Sequence, residues 1–90
     1  MYYSLICLDK ENCSQLRKKQ RPFHLNFLEG YKKKILFAGP LLDEKNNVKG
    51  SLIVISAAKK SDVEKFYKND PYFLSGLFSE VKVYKFKKVF

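Results

Sequence analysis

Residues 51–57 read SLIVISA, and this stretch decides the fold. It is too short and too β-branched for a helix, and turn-forming residues precede it, so it reads as a strand. Its apolar residues are continuous rather than alternating. A strand covered on one side alternates, whereas a continuous run asks for cover on both sides.

Working backwards, DEKNNVKG (43–50) is a turn, and Ile35 to Leu42 is a second apolar run. Gly39-Pro40 inside that run disfavours a fully paired central strand and suggests a bulge or an edge. Before it, Phe23, Phe27, Leu28 and Tyr31 recur at three- and four-residue spacing, the mark of a helix with one buried face. Pro22 suits a first turn, so the main helix is expected from about Arg21 to Lys33, after a short lead-in capped by Ser14. Tyr2 to Leu8 is the opening strand.

Working forwards, Ser61-Asp62-Val63-Glu64 has the form of a capping box, so a second helix is expected to bury Val63, Phe66 and Tyr67 and to end near Asp70-Pro71. PYFLSGLF (71–78) reads as one helical turn with Gly76 near its end, and Val81 to Val89 as the last strand. The order is β-α-β-β-α-β, an α+β, ferredoxin-like fold with a four-stranded antiparallel sheet in a single domain over residues 1–90. Two helices cover only one face of such a sheet. The doubly apolar strands therefore imply a second copy, sheet against sheet, in a two-fold homodimer.

The composition narrows the function. With 46% hydrophobic and 16% aromatic residues, the chain carries more than a disordered segment does. No apolar run is long enough to span a membrane, and MYYSLICLDKENC lacks signal-peptide organisation, so a cytoplasmic protein with no membrane partner is the expectation. Cys7 and Cys13 are the only cysteines. Without a CxxC pair, and with one histidine, neither zinc nor any other metal or cofactor is called for. Cys7 fits a small buried hydrophobe and Cys13 a free loop thiol.

The formal charge of +9 favours anionic ligands without establishing one. RNA-recognition motifs share this element order and stack bases on strand aromatics. Ser51-Leu52-Ile53-Val54-Ile55 offers no such aromatic, which argues against sequence-specific nucleic-acid binding and leaves only weak, salt-sensitive attraction.

His24 is the only histidine. It shares the apolar face of its helix and, if the helix starts near Arg21, sits where the dipole disfavours imidazolium. A neutral imidazole there is a usable general base; it is equally a packed histidine bonded to backbone. Asp70, before Pro71, has the position of a helix cap. Arg21 offers a planar fork for a carboxylate or phosphate, or is a plain surface arginine. Gly39-Pro40 marks either a bulge or a close approach to a ligand.

Four pieces in order, RPFHLNFL, FAGPL, NDPYFLSGLF and VYKFKKVF, after a strand ending in Asp9, resemble the YciI-like (YCII-related) proteins across essentially the whole chain. The resemblance implies a dimeric α+β barrel and an active site built on a His-Asp pair, here His24 and Asp70. It also implies proton transfer on a small, anionic, cyclic or aromatic-derived substrate. Proteins of similar fold include muconolactone isomerase-type enzymes, and some are tied to dehydrochlorination. The substrate-binding residues expected around the pair are Arg21, Asp9, Gly39 and Pro40. A non-catalytic small-molecule-binding or accessory dimer stands as the alternative. The hairpin LLDEKNNVKGS is compact and lysine-rich, a departure that leaves substrate choice open.

Overall fold

The computed structural model describes residues 1–90. Its elements are β1 (Tyr2–Asp9), α1 (Ser14–Glu29), β2 (Ile35–Leu42), β3 (Val48–Ser56), α2 (Lys60–Lys68), α3 (Pro71–Leu74) and β4 (Phe78–Phe86). The strands form one antiparallel sheet in the order β2-β3-β1-β4, the ferredoxin-like arrangement that the element order implies. No helix is long and apolar enough to cross a membrane.

The helical layer covers one face. Tyr3, Leu5 and Cys7 of β1 and Ile53 and Ile55 of β3 point to that side and join Val63 and Phe66 of α2 in the core. Period two places them together, because alternate residues of a strand share a face. Phe27 and Leu28 of α1 and Tyr31 just after it pack against them, and the rings of Phe27, Tyr31 and Phe66 meet at centroid distances of 4.8–5.2 Å. On the opposite face Phe37, Val54, Ser4 and Tyr84 lie in register across all four strands. There Phe37 and Tyr84 are about half exposed, at 49% and 52%.

Gly50 marks the tightest approach of β3 to β1. A Cβ there would come 2.2 Å from the Cys7 carbonyl oxygen, so only glycine keeps the two strands this close. Gly76 follows α3 with φ +80°, the left-handed conformation in which a chain leaves a helix.

Several boundaries differ from the sequence expectation. The chain forms one 16-residue helix from Ser14, with Pro22 in its interior, instead of a lead-in and a new start at Arg21. Proline removes the bond to the carbonyl four residues back, that of Lys18. Both Pro22 and Lys18 are exposed, so water can take that carbonyl and the helix continues. Cys13, not Ser14, is the N-cap, and its side chain makes no capping bond. His24 is therefore deep in the helix, and the dipole argument for a neutral ring fails, because that field fades within the first turn.

The expected capping box of α2 does not form either. The helix begins at Lys60 behind Lys59, which places Ser61 inside the first turn. β3 starts three residues earlier than expected. β4 starts at Phe78, where a register shift between Leu8 and Asp9 lets Asp9 pair with it. β2 is an edge strand, which accommodates Pro40. Both cysteines are free thiols, Cys7 buried and Cys13 half-buried.

Candidate active site

Asp70 caps α3. Its backbone is extended and its Oδ1 accepts from the Tyr72 N–H at 2.9 Å, the expected duty of an aspartate before proline. The same carboxylate also meets the only imidazole of the chain, 46 positions away. His24 Nδ1 lies 2.9 Å from Asp70 Oδ1 and 3.0 Å from Oδ2. An ionised carboxylate only accepts, so Nδ1 donates to it, and in the neutral ring the lone pair is on Nε2. Asp70 is 1% exposed and His24 7%. No buried side-chain nitrogen or oxygen in the chain lacks a partner, and Nε2 has none, so Nε2 is open to the adjoining cavity.

Tyr72 fixes the ring from the side. It stacks on His24 at 4.0 Å between centroids with 16° between planes. The Arg17 guanidinium also lies over the Tyr72 ring, with Cζ 4.5 Å from its centroid. Arg17 is two helical turns before His24 on α1 and so shares its face. Its Nε donates to Asp9 Oδ2 at 2.7 Å, and its Nη2 donates to Asp9 Oδ1 at 3.0 Å and to Ser51 Oγ at 2.9 Å. The Tyr72 hydroxyl also helps to hold the guanidinium charge.

The electrostatics follow from these contacts. Burial works against the Arg17 charge, but the hydrogen bonds and charge of Asp9 outweigh it and hold the guanidinium more firmly protonated than usual. Burial raises the Tyr72 phenol; Arg17 and Arg21 pull it back and Asp70 adds to the rise. Beneath the site, burial pushes the Cys7 thiol up to about 12, with Asp70 adding to the shift, Arg17 opposing it and Asp9 adding again.

The cavity measures about 310 Å³. Of the residues singled out in the sequence, His24, Arg21, Gly39 and Pro40 line it, and Asp70 stands behind His24. Asp9 does not line it; its carboxylate is taken up by Arg17. The sequence reading missed Arg17, Ser51 and Tyr72. Arg17 could have been found from its seven-residue spacing to His24, had the helix been read through Pro22. Ser51 and Tyr72 carry no local signal, since strand pairing and the α3 turn bring them in.

The YCII-related domain model matches residues 1–87. Among solved structures, 5-chloro-2-hydroxyhydroquinone dehydrochlorinase (TftG) from Burkholderia phenoliruptrix AC1100, in complex with 2,5-dihydroxybenzoquinone, is 29% identical. It superposes with a TM-score of 0.90 over 97% of this chain and 94% of that one. A protein from Agrobacterium tumefaciens shares the fold alone, at 15% identity and a TM-score of 0.50 over 94% of this chain and 92% of that one. No curated protein sequence matches the chain significantly. A family model that spans nearly every residue settles the kinship: the chain belongs to the YCII-related family.

Proposed function

We propose that the chain is a small-molecule enzyme in which His24 and Asp70 move a proton. The observation that carries this reading is the Nδ1 contact to a buried carboxylate with Nε2 open to a cavity. Asp70 holds the tautomer and stabilises the imidazolium that forms. Nε2 takes a proton from an acidic C–H or O–H of a small cyclic substrate, and the electron pair passes to a neighbouring oxygen as an enolate or phenolate. Arg17 Nη1 and the Ser51 hydroxyl hydrogen are donors for that oxygen, and Arg21 is at hand for an anionic group. When the oxyanion re-forms its carbonyl, the imidazolium returns the proton to a ring carbon; either that carbon bears chloride, which leaves when a second hydroxyl proton passes to Nε2, or the proton stays there. The first outcome is elimination, the second isomerisation. The likeness to TftG supports elimination.

The test is chloride release from 5-chloro-2-hydroxyhydroquinone by the wild-type chain and by His24→Gln, which keeps a donor toward Asp70. The expected result is turnover that falls about 100- to 10,000-fold in the variant, the usual contribution of a positioned acid-base group. Absence of turnover by the wild type sinks dehydrochlorination. Turnover that survives His24→Gln sinks the proton-transfer role. No turnover by the wild type, with His24→Gln losing only stability, favours the binding-module alternative.

We also propose that two copies associate through the uncovered sheet face into a dimeric α+β barrel. Its support is the aromatic surface there, where Phe37, Tyr84 and Phe86 remain exposed, next to the continuous apolar runs of β2 and β3. Sedimentation should show a dimer, and Phe37→Glu should shift it to monomer. A wild-type chain that sediments as a monomer at micromolar concentration rules the dimer out.

A further inference from the structure

The cavity beside His24 holds more positive charge than proton transfer needs. Its wall contains Arg17, Lys18 and Arg21 and no carboxylate. Asp9 already compensates Arg17 through two hydrogen bonds. Lys18 and Arg21 make no ion pair and no side-chain hydrogen bond, although other lysines of the chain do, as in Lys32–Glu29 and Lys82–Glu80. Two uncompensated cations therefore stand at the mouth of one cavity.

Their spacing sets a distance. Lys18, Arg21 and His24 follow at three-residue steps on α1, which fans the two cations round the helix from His24 while all three line the cavity. Arg21 is about 4.5 Å and Lys18 about 9 Å along the axis from His24. A six-membered ring with its reacting oxygen near Nε2 brings a ring substituent within reach of the Arg21 fork and the Lys18 ammonium. Leu28, Ala38, Pro40 and Ile53 supply apolar wall for the ring itself. The Arg21 charge reaches the interior, since it is one of the groups that lower the Tyr72 phenol. A carboxylate suits the place: one guanidinium grips it with two parallel bonds, and it is small enough to share about 310 Å³ with a ring.

We propose that Lys18 and Arg21 are specificity-determining residues that select cyclic substrates carrying a carboxylate separate from the oxygen on which His24 acts. The inference rests on the proton-transfer reading for what happens at His24. It does not rest on that reading for which ligands bind.

The test compares two probes, 2,5-dihydroxybenzoate and 1,4-dihydroxybenzene, by titration of the wild-type chain with the His24 ring signals followed by NMR. The carboxylated probe should bind about tenfold or more tightly, and added salt should reduce the difference. In the double variant Lys18→Gln/Arg21→Gln the preference should fall below about threefold, with affinity for 1,4-dihydroxybenzene held within about twofold. Both residues are exposed, so the variant keeps the fold. Equal affinity of the wild type for the two probes overturns the proposal, as does a preference that survives the double substitution. The preference should also persist in His24→Gln. If that variant loses turnover while the wild type shows no preference, only the charge selection fails. If it keeps turnover while the preference is present, only the proton-transfer reading fails.

Discussion

The space beneath α1 has two halves of opposite chemistry. Toward the C-terminal half of the helix, Phe27 and Tyr31 meet Phe66 in an aromatic cluster over Tyr3, Leu5 and Ile55. Toward its start and middle, Arg17 and His24 meet Asp9, Ser51, Asp70 and Tyr72 in a linked polar set. The apolar half stabilises the fold by taking carbon out of water. The polar half gains little net free energy, because each buried charge must first lose its hydration. What it gains is definition: every ring and fork is held from at least two sides. A 90-residue chain has room for one modest core, and here part of the covered face goes to groups suited to chemistry.

The contrast can be broken experimentally. Phe66→Ala should cost about 3–5 kcal/mol in chemical denaturation, the range for emptying a buried aromatic site, while activity per folded molecule stays near wild type. A larger loss of activity than of folded protein would mean that the two halves are not separable.

Cys7 lies at the border between them and offers a pH probe. Its thiol is raised from 9.0 to about 12 in the folded chain, so between these values the unfolded chain gives up a proton that the folded chain keeps. Stability is thus fully present below pH 9 and lost as pH rises toward 12, by up to about 4 kcal/mol at about 1.4 per unit. Cys7→Ala should flatten that alkaline decline, whatever it costs at pH 7. An unchanged slope in urea melts across the window would show that the decline has another source.

Arg17→Met is the smallest of the three effects, at about 1–3 kcal/mol, because it strands the Asp9 carboxylate at 9% side-chain exposure. Adding Asp9→Asn should return part of that loss. If the two substitutions simply add, the pair is not coupled and the polar half is less tightly linked than its geometry indicates.

The apolar half was legible in the sequence because periodicity reports it. Phe27, Leu28 and Tyr31 show a helix face, Val63 and Phe66 another, and SLIVISA a strand, all within local windows. The polar half was legible only where one residue stood out or a family motif named it. His24 drew attention as the only histidine, but nothing near it points to Asp70, 46 positions on. Arg17 was hidden by Pro22. A proline mid-pattern reads as a helix start, and the rule gives way here only because the carbonyl it strands faces water. Asp9 stood at the end of its strand as a candidate for ligand contact. Its true neighbour could not be seen until α1 was extended back past residue 17.

The double duty of Asp70 bears on how this family drifts over time. A residue that closes a turn is kept by selection for folding, whether or not a reaction survives. An aspartate at this position in a relative is therefore poor testimony to activity, since a lineage that abandoned its chemistry would still retain it. His24 closes no turn; its structural contacts are the bond to Asp70 and the stack on Tyr72. Under the proposed proton transfer it would be the first of the pair to be replaced if the reaction ceased to matter, and its presence or absence would be the better record of activity.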